Sequence, residues 1–197
     1  MVPTKYISCF NIKSNDECIM RNIKLHNKEF EVFITESEIA AIIHLIAKNI
    51  NESRIKDPLF IAILNGSFLF AGDIMRKITI PNSEISFIKL SSYSGTETTG
   101  QVNELIGIGD NISGRNIVIL EDIIDTGITL EKIVSLLKKE NVADITIATL
   151  LFKPDAYTKD INIDFIGKSI PNNFVVGYGL DYDEIGRNLP HIYKLKE

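Results

Sequence analysis

The sequence predicts an α/β protein built on a doubly wound parallel sheet. Three observations predict it. Apolar runs at Leu59–Leu64, Ile117–Leu120 and Ile145–Phe152 are short and nearly unbroken, as strands buried on both faces are. Two of them are followed by glycine-containing turns, Asn65-Gly66-Ser67 and Asp125-Thr126-Gly127, that lead into helical patterns. Strand and helix patterns then alternate along the chain, which argues for crossover connections.

Taken in order, Ile7–Ile12 and Phe30–Ile34 read as short strands flanking the core. Thr35-Glu36-Ser37-Glu38 fits a capping box that opens a helix. Ile39, Ile42, Ile43, Ile46 and Ile50 then recur at helical spacing and form its buried stripe. Leu59–Leu64 is a strand, Asn65-Gly66-Ser67 its turn, and a helix-like segment runs on to Lys77. Ile85–Leu90 alternates as a strand. The polar, glycine-flanked run from Ser91 to Gly100 holds one large aromatic, Tyr93, and reads as a mobile loop. Leu105–Ile108 leads back toward the central strand at Ile117. Leu130, Ile133, Val134 and Leu137 form the buried stripe of the next helix, with Glu131, Lys132, Lys138 and Lys139 on its wet face. Ile145–Phe152 ends at Lys153-Pro154, where proline stops the strand. Phe165–Ile170 and Phe174–Tyr178 read as further strands, followed by an acid cluster at 181–184, Arg187 and a last apolar stretch, Ile192–Leu195.

Totals narrow the function. The chain has 197 residues and a net charge of −5, so no general attraction to nucleic acid or an anionic membrane is expected. Its apolar runs are too short to span a bilayer, and the N-terminal segment does not read as a secretory signal. Cys9 and Cys18 form no CxxC and read as free thiols of a reducing compartment. His26, His44 and His191 are far apart and suggest no zinc-type cluster.

The chemistry concentrates at residues 117–130. The apolar run ends in two adjacent carboxylates, Glu121 and Asp122, and Asp125 follows after two isoleucines. The turn from Asp125 through Thr126, Gly127 and Ile128 to Thr129 points free amides at one spot, and the helix dipole adds to them, which makes a phosphate cradle. Gly127 permits positive φ or close approach to an anion. Glu121 and Asp122 are suited to accept sugar hydroxyls or to hold water around a divalent cation. A phosphate cradle beside hydroxyl acceptors suggests a ribose phosphate. Helix N-terminal charge alone accounts for Asp125 but not for three acids and two threonines at one strand end. Asn65-Gly66 reads equally as a second anion nest or a plain βα loop, and Lys153 faces the ligand edge of the sheet.

With the stretch Glu-Asp-Ile-Ile-Asp-Thr-Gly-Ile-Thr-Leu at 121–130 in view, the chain resembles the hypoxanthine and hypoxanthine-guanine phosphoribosyltransferases of the type I phosphoribosyltransferase family. Three further blocks match in order: Leu64-Asn65-Gly66-Ser67-Phe68, Ser92-Tyr93-Ser94-Gly95-Thr96, and the purine-side block from Phe174 to Tyr182. The resemblance implies a type I phosphoribosyltransferase core over about 35–153, with a hood from about 1–34 and 154–197, in a single domain over 1–197. It implies transfer of phosphoribosyl from phosphoribosyl pyrophosphate (PRPP) to N9 of a 6-oxopurine base, releasing pyrophosphate.

Residue by residue, the resemblance gives Asp125 the proton at N7 and Glu121 and Asp122 the ribose hydroxyls. Residues 125–129 (Asp125, Thr126, Gly127, Ile128, Thr129) take the 5′-phosphate. Lys153 donates to the 6-oxo group, Phe174 stacks on the base and Val175 reads its edge. Asp181 serves the purine side and binds Mg²⁺, with Glu121 and Asp122 reaching the ion through water. Asn65, Gly66 and Arg187 face the pyrophosphate, and Ser92 and Tyr93 belong to a closing lid. Asn65 departs from the pattern, since many relatives carry Lys or Arg there, and relatives often have a cis peptide at the position of Leu64–Asn65. The resemblance also implies a cytoplasmic homodimer or homotetramer acting on small molecules. Two alternatives stand beside it: a regulator that senses PRPP or nucleotide on the same fold, and a transferase preferring xanthine or a pyrimidine.

Overall fold

The computed structural model describes residues 22–90, 104–106 and 112–196. Cys9, Cys18, the expected strand at Ile7–Ile12 and the lid residues Ser92 and Tyr93 lie outside them. In chain order the elements are β1 (Ile23–Leu25), β2 (Lys28–Ile34), α1 (Glu36–Glu52), β3 (Leu59–Ile63), α2 (Phe68–Met75), β4 (Glu84–Leu90), β5 (Glu104–Ile106), β6 (Asn116–Ile124), α3 (Ile128–Lys139), β7 (Asp144–Phe152), β8 (Phe165–Ser169), β9 (Val175–Val176) and β10 (Ile192–Leu195).

Among the described residues, six strands form the main sheet in the order β5-β4-β3-β6-β7-β8. The pairs β4–β3, β3–β6, β6–β7 and β7–β8 are parallel, and β5 is antiparallel to β4. Alternation along the strands sends side chains to both faces. Phe60, Ala62, Val118, Leu120 and Leu150 meet α1 and α2 on one side. Leu59, Ile61, Ile117, Ile119 and Ile147 meet Leu130, Ile133 and Leu137 of α3 on the other. This is the doubly wound core expected from the buried runs. The capping box also forms: Thr35 accepts from the Glu38 amide, and Glu38 accepts from the Thr35 amide at 2.8 Å.

A second sheet, β1-β2-β10-β9, is the hood. Its inner packing joins Phe30, Val176 and Tyr193. Two long-range bonds tie it to the core. The Glu36 amide donates to Nδ1 of His191 at 2.9 Å, and the Tyr178 hydroxyl donates to Asp73 at 2.6 Å.

Three sequence expectations are corrected here. The central strand does not stop at Leu120. It extends to Ile124 because the equally long β7 pairs with it out to Ile124–Phe152, so Glu121 and Asp122 are strand residues. Phe165–Ser169 does not belong to the hood: it is the edge strand of the main sheet, paired in parallel with β7 through Ala148–Phe165 and Phe152–Ser169. The strand expected at Phe174–Tyr178 shrinks to Val175–Val176, because the chain leaves extended geometry at Gly177 and Tyr178, with φ of 97° and 48°.

Thr35→Ala removes the side-chain half of the cap that joins hood to core. It is expected to lower unfolding free energy by about 1 kcal/mol in a urea titration.

Candidate active site

The strand order reverses direction between β3 and β6, because β3 crosses over to β4 on one side and β6 to β7 on the other. Their C-terminal ends therefore lie side by side, at the switch point where open α/β sheets bind ligands. After β3 the chain turns through a cis peptide at Leu64–Asn65. Ser67, fully buried, donates to the Ile63 carbonyl at 2.6 Å and closes the turn. Gly66 lies directly against the Asp122 carboxylate, and a Cβ there would collide with it. Gly179, from the purine-side block, abuts the Gly66 carbonyl. Three of the four matching sequence blocks thus meet at one point.

After β6 the cradle takes its shape from Gly127, at φ 80° and ψ 5°, as the N-cap of α3. Glycine has no side chain to cap the helix, and the first helical bond is Glu131 N–H to the Gly127 carbonyl at 2.9 Å. Among the described residues, the amides of Thr126 to Leu130 have no acceptor. They border a concavity lined by Glu121, Ile123 and residues 124–130. Uncompensated amides at a helix start attract an anion.

A strap missed by sequence reasoning holds this loop from outside. Tyr157 and the stem of Lys159 pack against Gly127, leaving no room for a Cβ. Thr158 donates to the Thr126 carbonyl through its amide at 3.3 Å and its hydroxyl at 3.2 Å. Lys159 pairs with Glu131 at 2.7 Å. The only local signal was an aromatic just beyond the Lys153-Pro154 stop, and it does not say what the aromatic packs on.

The carboxylates differ in setting. Burial pushes Asp122 up to about 6 from an ordinary 3.8, while backbone donors and the Arg187 charge pull it back. Burial, aided by the Asp122 charge, holds Glu121 well above the ordinary range. Glu121 Oε2 is enclosed and has no hydrogen-bond partner among the described residues. Asp125, more open, pairs with Lys153 at 2.8 Å. Lys153 itself is only 7% exposed, reaching in from the end of β7. Asp181 accepts from Arg187 at 2.7 Å and from the Glu184 amide at 2.9 Å, and Arg187 also donates to the Gly179 carbonyl at 2.8 Å. Phe174 stands at the hood edge with 43% of its surface exposed, and Val175 is buried in β9. The structure therefore joins Gly66 with Asp122, Asp125 with Lys153, and Asp181 with Arg187. It records no contact between Phe174 and Lys153. Among the described residues, no three His, Cys, Asp or Glu side chains are grouped to hold a metal ion unaided, and no helix is long and apolar enough to cross a membrane.

An anion cradle at the switch point, with two acids, one buried and one half-buried, at the adjacent strand end, is the arrangement of a phosphoribosyl-binding α/β protein. The model of the phosphoribosyl transferase domain matches residues 31–183. A hypoxanthine-guanine phosphoribosyltransferase from Staphylococcus aureus is 41% identical over 174 residues, covering 87% of this chain and 97% of that protein. One from Staphylococcus epidermidis is 42% identical over the same shares. A crystal structure of a hypoxanthine phosphoribosyltransferase from Staphylococcus aureus superposes with a TM-score of 0.77 at 40% identity, covering 84% of this chain and 91% of that one. The chain belongs to the phosphoribosyltransferase family, in its hypoxanthine-guanine branch.

Buried Asp122 carries a pH signature. Its folded-state proton is held more tightly than the unfolded chain would hold it. Its contribution is therefore fully present below 3.8 and is lost as pH rises through about 6. Asp122→Asn is expected to match the parent protein at the acid end of this window. At pH 7 it should exceed the parent by on the order of 3 kcal/mol in urea unfolding. A difference that is flat with pH contradicts the burial argument.

Proposed function

We propose that the chain catalyses purine salvage, transferring the 5-phosphoribosyl group of PRPP to N9 of hypoxanthine, and of guanine, to give the nucleoside monophosphate and pyrophosphate. The observation that carries this reading is the row of unbonded amides from Thr126 to Leu130 at the end of a strand that carries the buried Asp122 and the half-buried Glu121, together with the Asp125–Lys153 pair. Amides, acids and paired charges answer the needs of a nucleotide's parts: donors for the phosphate, acceptors for the ribose hydroxyls, and a donor with an acceptor for the base edge.

The residues then divide the work. The amides of residues 125–129 and the hydroxyls of Thr126 and Thr129 take the 5′-phosphate. Glu121 and Asp122 accept the ribose hydroxyls. O6 and N7 lie side by side on one edge of a 6-oxopurine, and an acid and an ammonium 2.8 Å apart suit that edge. Lys153 donates to O6, and Asp125 accepts the proton at N7 as N9 attacks C1′. An amino group at C6 would offer Lys153 a donor instead of an acceptor, so adenine is rejected. Phe174 stacks on the base and Val175 reads its edge through the main chain.

The leaving group gathers negative charge as the C1′–O bond breaks. Arg187 and the backbone around Asn65 and Gly66 face it. Asn65 adds no charge there, which leaves Arg187 as the side-chain cation of that end. Asp181, with Glu121 and Asp122 through water, offers the hard oxygen donors that Mg²⁺ prefers. These are too few to hold the ion without PRPP, in keeping with a metal that arrives on its substrate. When bound, Mg²⁺ neutralises the pyrophosphate. The loop at Ser92 and Tyr93 acts as the lid that excludes water. We read the protein as one domain over 1–197 that assembles as a cytoplasmic homodimer or homotetramer, without nucleic-acid or membrane partners. The family resemblance and the negative net charge support this.

The test is pyrophosphate release from PRPP and Mg²⁺ with each base in turn. Hypoxanthine and guanine should react and adenine should not. Asp125→Ala is expected to lower kcat by about 10²- to 10⁴-fold while PRPP still binds. An unchanged kcat removes Asp125 from the proton transfer.

A further inference from the structure

The β1–β2 hairpin has no part in the mechanism above, yet its turn residues converge on two rings of the purine-side block. Lys28 opens β2, and the alternation of the strand puts it on the same face as the buried Phe30 and Ile34. The Lys28 ammonium lies 4.8 Å from the centre of the Tyr182 ring and 5.4 Å from the centre of the Phe174 ring. Among the described residues no carboxylate pairs with Lys28. The hairpin grips Tyr182 twice more. The His26 ring meets it edge to face at 5.3 Å, and Asn27 Oδ1 accepts from its hydroxyl at 3.1 Å. Tyr182 in turn meets Phe174 edge to face at 5.7 Å.

Phe174 needs such support. With 43% of its surface exposed, it has little core to fix its orientation. Its ring centre lies 6.1 Å from that of Phe30 and 5.7 Å from that of Tyr182, both rings inclined to it. A cation shared between the Phe174 and Tyr182 faces joins the two aromatics to the hairpin and leaves the remaining surface of Phe174 open.

Resting on the function proposed above, we infer that Lys28 is a positioning residue for base binding. It clamps Phe174 and Tyr182 from the hood, so that Phe174 presents a fixed open face to the purine. Lys28 touches neither the base nor PRPP in this arrangement. Its effect belongs to affinity for the base and not to the chemical step.

The experiment is steady-state kinetics of Lys28→Met, with PRPP and hypoxanthine varied separately, beside Lys28→Arg and the parent protein. Lys28→Gln repeats the measurement should Lys28→Met not fold. Loss of the cation should raise the KM for hypoxanthine roughly three- to tenfold, and the KM for PRPP by less than about twofold, with kcat at saturating base retained. Lys28→Arg should restore the KM for hypoxanthine, because guanidinium also stacks on aromatic faces. An unchanged KM for hypoxanthine overturns the clamp. So does an equal rise in both KM values, which marks general loosening. A lower KM for hypoxanthine overturns it as well, since that marks a cation competing with the base for the ring. A parent protein that does not turn over hypoxanthine overturns the function itself, a result distinct from an active parent with an indifferent Lys28→Met.

Discussion

Two adjacent acids at the end of the central strand, Asp122 buried and Glu121 half-buried with one oxygen enclosed, constrain the rest of the site. β6 runs four residues past its apolar segment and carries Glu121 and Asp122 into surroundings that desolvate them. A carboxylate out of water is costly unless donors surround it. Asp122 is eased by backbone amides and by the Arg187 charge, while one oxygen of Glu121 has no donor among the described residues. The pair of acids at this strand end offers acceptors and no donor of its own when ionised. The anion cradle three residues further on is its counterpart, a row of amide donors from Thr126 to Leu130 with no acceptor among the described residues. A ligand with hydroxyls at one end and phosphate at the other satisfies both needs at once.

Topology and packing keep the two halves in register. The reversal of strand order brings the β3 turn against Asp122, and the purine-side block closes on that turn through Gly179. Tyr157, Thr158 and Lys159 brace the cradle from outside. The His191 and Tyr178 bonds anchor the hood to α1 and α2. The cradle and the Asn65-Gly66 turn are loops, but each is fixed by groups from a distant part of the chain. Preorganisation of this kind lets hydrogen bonds act on developing charge with little reorganisation.

What was legible in the sequence was local. The capping box at Thr35–Glu38, the isoleucine stripe of α1 and the doubly apolar strands follow from spacing within a few residues. The cradle followed from one strand-to-helix junction. What was not legible depended on pairing between distant segments. The extension of β6 is decided by its partner β7, since Glu121 and Asp122 look like loop residues when β6 is read alone. Phe165–Ser169 alternates no differently from a hood strand, and only its parallel register with β7 assigns it to the main sheet. The strap at Tyr157 and the clamp at Lys28 are single side chains meeting partners far along the chain, which periodicity cannot register. The resemblance supplied residue roles that geometry alone does not dictate, such as Phe174 as a stacking ring on an exposed edge.

The most direct measurement is a crystal structure of the protein with inosine 5′-monophosphate bound. The phosphate should lie on the amides of Thr126 to Thr129, with the ribose hydroxyls donating to Glu121 and Asp122. A phosphate seated elsewhere, or a ribose turned away from the two acids, would contradict the complementarity between buried acceptors and exposed amides on which the site is built.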